Sequence, residues 1–151
     1  MYKRILVPYD GSAPSRAGLR EAVDLAADSG ATLVVLHVVS ELPLLMGGEA
    51  YVNYGELADL LMTAGQGLAQ EAAAVADKAC VKVETKVVDG GATAVCDVIL
   101  DQVAAQRCDL VAMGTHGRRG LKRLTLGSDA ELVLRRSPVP VLLAKAAEAS
   151  A

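Results

Sequence analysis

The chain contains no tryptophan and no phenylalanine, and aromatic residues make up only 3% of it. Hydrophobic residues nevertheless reach 52%. The core must therefore be built from Val, Leu, Ile and Ala, as in α/β proteins whose parallel sheets are covered on both faces. A basic excess is also missing. The formal net charge is −3 and the pI is near 5.3, which argues against general nucleic-acid binding, because that usually shows a basic face. The three cysteines, Cys80, Cys96 and Cys108, have no metal-ligand spacing, and their odd number does not suit a disulfide framework. They read as buried or half-buried thiols in a reducing compartment. No apolar run approaches the ~18–20 residues of a membrane span. The apolar stretch at the N-terminus, Ile5-Leu6-Val7, is too short for a signal peptide. The expectation is a cytoplasmic protein with no membrane and no nucleic-acid partner. No G-x-x-x-x-G-K-[ST] phosphate loop occurs, and no general base or metal pair stands out, so fast nucleotide hydrolysis is not indicated.

What is present is an alternation of strand-like and helix-like runs. Strands are predicted at Lys3–Tyr9, Thr32–Val39, Val81–Val88, Asp109–Met113 and Val139–Ala144, and helices at Ala13–Asp28, Glu56–Ala79, Ala92–Gln106 and Asp129–Arg136. Ser12 suits the N-cap of the first helix, Pro14 its opening turn and Gly30 its end. Residues 40–55 read as a loop, and Gly65 and Gly67 weaken the helix that follows. A chain of 151 residues is most simply one domain by the usual prior of roughly 100–200 residues each; residues 1–145 form it, with 146–151 as a tail. Such alternation implies right-handed βαβ units and a parallel sheet.

Strand order follows from polarity. The third strand alternates Val81, Val83, Thr85, Val87 with Lys82, Glu84, Lys86, so one of its faces is poorly covered and it belongs at an edge. The fifth carries Pro138 and Pro140, and proline in a sheet prefers an edge. The first, second and fourth are almost continuously apolar, as central strands are. The predicted fold is a three-layer α/β sandwich around a five-stranded parallel sheet of order 3-2-1-4-5, Rossmann-like. The chain then reverses between strands one and four, and ligands bind beyond the carboxyl ends of strands at such a switch point. Asp10 ends the first strand and Gly114 the fourth.

The richest segment runs Gly114-Thr-His-Gly117-Arg-Arg-Gly120-Leu-Lys-Arg-Leu-Thr-Leu-Gly127-Ser128, between an apolar strand and a helix, and contains four basic residues. Glycines let the backbone turn sharply and approach a ligand. Consecutive N–H groups in such a turn, with a helix N-terminus behind them, form an anion site. This is the chemistry of a phosphate cradle. A loop this long inside a compact domain is usually functional.

The spacing Gly114-x2-Gly117-x9-Gly127-Ser128 resembles the nucleotide loop of the universal stress protein family, in its ATP-binding branch. Further resemblance lies in Arg4-Ile-Leu-Val-Pro-Tyr-Asp10-Gly-Ser12, in Leu36-His-Val38-Val and in Ser137-Pro-Val-Pro-Val-Leu-Leu143, and it covers nearly the whole chain. The resemblance implies an adenine nucleotide alpha hydrolase-like fold and an ATP-binding role in stress response, with weak or no hydrolysis. ATP is the implied ligand, with AMP or ADP as alternatives and Mg²⁺ as companion. It implies contacts from Pro8, Tyr9 and Asp10 at the first strand, from the backbone of Val38 at the adenine edge, and from Met113 beneath the ligand. Gly114, Gly117, Gly127 and Ser128 would cradle phosphates, with His116 and Arg118 beside them. Asp129 is a candidate contact of another kind: it stands where the family often has a small apolar residue, and its carboxylate repels a triphosphate unless a cation intervenes. It also implies a homodimer through strand 139–144, whose apolar edge needs cover in any case. Plainer readings stand beside these. Asp10 serves its own turn equally well, His116 and Arg118 are compatible with a solvated loop, and His37 suits a hydrogen-bonded core position better than a ligand role.

Two rival functions are consistent with parts of the pattern. Asp10, Asp89, Thr115 and Lys145 at strand ends imitate the acid pocket of a phosphoacceptor receiver, but that architecture requires strand three in the centre. A slow ATP hydrolase differs from a binding protein only by turnover.

Overall fold

The computed structural model describes residues 1–40, 54–115 and 126–147. Strands β1 (Arg4–Pro8), β2 (Thr32–Ser40), β3 (Val83–Gly91), β4 (Leu110–Gly114) and β5 (Val141–Ala144) form one parallel five-stranded sheet of order β3-β2-β1-β4-β5. Among the described residues the helices are α1 (Ala13–Ser29), α2 (Tyr54–Lys78), α3 (Val95–Ala105) and α4 (Ser128–Arg136). The expected three-layer sandwich and sheet order are those the chain adopts. No helix among the described residues is long and apolar enough to cross a membrane.

The layers follow from the pleat, which sends successive side chains to opposite faces. Ile5 and Val7 of β1, with Leu33 and Val35 of β2, pack against Leu19 and Val23 of α1 and Ala72 and Ala76 of α2. Leu6, Val34 and Leu36 point the other way, onto Ile99 and Val103 of α3 and Val133 of α4. Helix α1 has both predicted caps. Ser12 Oγ accepts from the Ser15 N–H at 3.2 Å, Pro14 lies in the first turn, and Gly30 closes the helix in the left-handed region at φ 71°.

The amino end of the sheet is closed by charge. The Asp109 carboxylate accepts the N–H of Lys3 at 2.8 Å and of Arg4 at 3.0 Å. Burial alone would raise its pKa, but these bonds outweigh burial and hold it below the ordinary value. Arg4 reaches across to Glu84 of β3 with a forked pair of 3.0 and 2.8 Å, and its Nε donates to the Gln106 carbonyl, the C-cap of α3, at 2.8 Å.

Several predicted boundaries move. β3 starts at Val83 and runs on to Gly91, so α3 begins only at Val95 instead of Ala92. Cys80 is exposed, not buried, because it lies past the end of α2 with φ 57°; Cys96 and Cys108 are buried. Residues 41–53 of the predicted loop lie outside the described residues, whereas Tyr54 and Gly55 already belong to α2. β5 begins at Val141 instead of Val139, since proline has no N–H to donate.

The edge of β5 also has a definite polarity. Pro140 O accepts from Val111 N–H and Ala144 O from Thr115 N–H, each at 3.0 Å. In an extended strand a residue's N–H and C=O point to the same side. Residues 140, 142 and 144 therefore face β4, and the outward groups belong to Val141 and Leu143. Prolines facing outward would have left Leu142 and Ala144 as the free pair; Pro140 faces inward instead, and the outer edge keeps its donors.

Helix α1 approaches β4 without side chains in between. A Cβ on Gly114 would lie 2.3 Å from the Pro14 backbone, and one on Gly18 would lie 2.9 Å from Gly114 N. Gly67, exposed on α2, has nothing within 4 Å of a built Cβ. Gly67→Ala should therefore stabilise the fold by roughly 0.5–1 kcal/mol, the usual helical gain over glycine. Gly18→Ala should destabilise it by about 1–3 kcal/mol or more, because backbone cannot step aside as a flexible side chain can. Urea midpoints of the variants read both effects; equal midpoints would mean the α1–β4 contact gives way easily.

Candidate functional site

The predicted site residues meet, where described, at the carboxyl end of the sheet. β1 ends at Pro8 and β4 at Gly114, and these neighbours connect to α1 and α4 on opposite faces. Connections that leave adjacent strands for opposite faces make this the switch point, and open α/β sheets have their crevice outside the strand ends there. Pro8 takes the parity of Leu6, so its side chain lies on the α3–α4 face, where Val38 is half-buried and Met113 buried in the same cluster. Gly127 and Ser128 form the start of α4, with Asp129 half-buried in its first turn. His116, Gly117 and Arg118 lie outside the described residues.

The β1–α1 turn is built on Asp10. Its Oδ1 accepts the Ser12 N–H at 2.9 Å, and its own N–H donates to Ser15 Oγ at 3.4 Å. The plainer reading of Asp10, as a turn-forming acid, therefore holds. The carboxylate is half-exposed at the crevice all the same.

The other wall is the start of α4. Gly127 N–H donates to Thr115 O at 2.7 Å, so the end of β4 and the beginning of the helix are pinned together. The first intrahelical bond runs from Glu131 N–H to Gly127 O at 2.9 Å. Gly127 occupies the N-cap and has no side chain to satisfy the N–H groups of the first turn. The helix dipole there favours negative charge. Asp129 and Glu131 supply some, Glu131 being paired with Arg135 at 2.9 Å.

Tyr9 departs from a simple lining role. Its side chain is buried in the α1–α2 core, and its hydroxyl donates to Glu71 of α2 at 2.5 Å. Arg16 of α1 donates to the same carboxylate oxygen at 3.1 Å. The Tyr9 N–H bonds Leu36 O and the Tyr9 carbonyl accepts from His37 Nδ1, both at 2.8 Å. His37 is thus hydrogen-bonded core, as its setting in an apolar strand indicated. Sequence reasoning did not find Glu71, Arg16 or the need for Gly18. A signal existed for the last: glycine inside a strongly patterned helix is costly unless something approaches closely.

The Asp89, Thr115 and Lys145 constellation does not form a receiver pocket. β3 lies at the sheet edge, not in its centre, and Asp89 Oδ1 accepts from Gly91 N–H at 3.0 Å within its own turn.

Comparison with known proteins gives a consistent result. The model of the universal stress protein family matches residues 1–145. Universal stress protein MJ0531 of Methanocaldococcus jannaschii is 31% identical over 145 residues, covering 96% of this chain and 83% of that protein. The solved structure of MJ0577, reported for the structure-based assignment of its biochemical function, superposes with a TM-score of 0.85 at 26% identity and covers 99% of both chains. A universal stress protein solved in complex with cAMP superposes with a TM-score of 0.68 at 25% identity, covering 97% of this chain and 98% of that one.

The Tyr9–Glu71 bond generates a pH response. The Tyr9 hydroxyl first, and Arg16 second, hold the Glu71 pKa below its ordinary value. Its contribution to stability is complete above the unfolded carboxylate range and fades as pH falls through the folded value. Burial first, and the Glu71 bond second, raise the Tyr9 pKa above 10.0. Its contribution is complete below that value and fades as pH rises through the folded one. Tyr9→Phe should cost about 0.5–1.5 kcal/mol at neutral pH, remove the alkaline limb and flatten the acid limb. Thermal melts from pH 3 to 11 read all three; a variant with both limbs intact would assign them to other groups.

Proposed function

The chain belongs to the universal stress protein family, and from that membership we propose that it is an adenine-nucleotide-binding regulator of stress response, with residues 1–145 acting as one nucleotide-binding unit. ATP is the proposed ligand, with AMP or ADP as alternatives. The observation that carries this reading is that the Asp10 turn and the segment pinned to the start of α4 leave the carboxyl ends of the adjacent strands β1 and β4. The cAMP complex of a relative at 25% identity supports an adenine nucleotide in this fold.

The residues present suit such a ligand. The uncapped first turn of α4, behind Gly127 and Ser128, offers N–H groups to a phosphate. Val38, Met113 and Pro8 supply an apolar floor for a base, and Asp10 an acceptor for a ribose hydroxyl. His116, Gly117 and Arg118 belong to the same proposal through the loop spacing. Mg²⁺ would come with the phosphates, which usually supply most of its ligands; Ser128 and Asp129 are the nearest protein oxygens in sequence, and the cation would offset the Asp129 charge. Hydrolysis is proposed to be weak or absent.

Ligand released from the purified protein, identified by mass spectrometry, tests the nucleotide directly. Calorimetry should show ATP binding that falls about ten-fold or more in Gly127→Val, since a β-branched side chain keeps the backbone from the phosphates. Turnover should stay well under the ~1–10³ s⁻¹ typical of enzymes. Unchanged affinity in a folded Gly127→Val protein would remove the loop from the site, and rapid phosphate release would make the protein a hydrolase.

A homodimer through β5 is proposed on a separate observation. The outward donors and acceptors of Val141 and Leu143 are left at a sheet edge, which proteins usually cover or pair. Light scattering should give about twice the 15.6 kDa chain mass. Val141→Pro deletes an outward donor without touching the β4 ladder and should shift the protein toward monomer. A wild-type monomer at high micromolar concentration would overturn the dimer.

A further inference from the structure

The β1–β2 ladder stops one bond short of where its geometry would carry it, and a side chain takes the missing place. Pairing ends with Pro8 opposite Leu36. The last bond runs from Tyr9 N–H to Leu36 O at 2.8 Å. In a parallel ladder the next would run from Val38 N–H to Tyr9 O. The Tyr9 carbonyl instead accepts from His37 Nδ1 at 2.8 Å. A carbonyl only accepts, so Nδ1 carries the proton. Residues of β2 alternate in direction. Leu33 N–H bonds Lys82 O on the β3 side, and Leu36 O faces β1. Val38 shares the parity of Leu36, so its N–H and C=O both face the gap where β1 turns away into Asp10.

The imidazole is held for this task. It lies on the α1–α2 side of the sheet, under Gly65 of α2. A Cβ on Gly65 would come within 2.6 Å of His37 Cδ2 and 3.0 Å of Val87 Cγ1. A glycine inside a helix is less favourable than alanine, and the ring is what that glycine accommodates. Tyr9 meanwhile is anchored by its hydroxyl on Glu71. The carbonyl that would have closed on Val38 is thus satisfied from the far face of the sheet, by a side chain that reaches no ligand in the crevice.

We propose that His37 is a positioning residue for base recognition: by occupying the Tyr9 carbonyl it keeps the Val38 N–H and C=O together in the crevice as a donor–acceptor pair. That pair matches a heterocycle edge presenting a ring-nitrogen acceptor beside an amino donor, as adenine does. It opposes hypoxanthine, whose ring N–H and carbonyl reverse the pattern. The inference rests on the nucleotide reading, in which the family resemblance already sets the Val38 backbone at the adenine edge, and adds to it the residue that keeps that edge open.

Two arms test it. The first needs no ligand. Amide hydrogen exchange by NMR should show Val38 N–H exchanging far faster than Tyr9 N–H in the wild-type protein. His37→Leu should protect it as the ladder closes, and His37→Asn, which restores a donor near the Nδ1 position, should leave it fast. A Val38 amide as protected as that of Tyr9 in the wild type would overturn the geometry. The second arm compares ATP with inosine triphosphate. The wild type should prefer ATP by at least about ten-fold, in line with sites that hydrogen-bond a substrate group. His37→Leu should lose most of that ratio and His37→Asn keep it. A merely structural role would lower the melting temperature and leave the ratio alone. Wild-type protein that binds neither nucleotide, with Val38 exchanging fast, would sink the nucleotide reading and the proposed selectivity with it while leaving the geometry standing. Binding with an unchanged ratio in His37→Leu would sink the inference alone.

Discussion

Helix α1 lies on the end of strand β4 with only backbone between them, and the crevice depends on that contact. Pro14 of the helix meets Gly114 of the strand, and Gly18 lies one turn further along against the same peptide. A side chain at either glycine would lift the helix. The Asp10–Ser12 turn, which leads straight into α1, would rise with it and separate from the start of α4. The glycine that reads as part of a phosphate loop is therefore also a packing residue. A substitution there would disturb the packing whatever it did to a ligand.

The layout was legible in sequence because it follows from parity and polarity. Lys82, Glu84 and Lys86 between valines marked an edge strand, and Pro138 and Pro140 marked the other. Continuous apolar runs marked the centre. Ser12 and Gly30 ended α1 where cap chemistry puts them. What failed was local. β3 outran its apolar alternation because it stays paired with β2 beyond Val88, Asp89 opposite Val39 and Gly91 opposite Ser40 across a shift of register. The side on which the prolines lack donors depended on which residues of β5 bond β4, and no pattern in β5 alone reveals that. The family resemblance implied a contact from Tyr9 without saying which of its groups makes it. Strand parity sends its ring to the α1–α2 face with Ile5 and Val7, and only its backbone stays near the crevice. The loop spacing placed the start of α4 within one residue, at Asp129 against the observed Ser128, whereas the pairing of Tyr9 with Glu71 joins residues far apart in sequence and left no trace in it.

The two walls of the crevice are consequently unlike. On the β1 side, every hydrogen-bonding group of Tyr9 has a named protein partner: Leu36, His37 and Glu71. This wall is preorganised by α1 and α2 together, and a ligand that meets it finds a fixed surface. On the β4 side, the described contacts stop at Gly127, whose cap position is left to backbone alone. One wall is suited to reading a shape, the other to accepting charge.

The bond between Gly127 and Thr115 carries an evolutionary consequence. It joins the two stems of the segment between strand and helix at its base. Insertions or deletions between those stems leave the stem bond in place. Their thermodynamic burden grows only with the logarithm of length, about 0.6 kcal/mol for each doubling. Natural selection can then revise the segment's length and sequence as a cassette, while the sheet and its helices stay under a separate constraint.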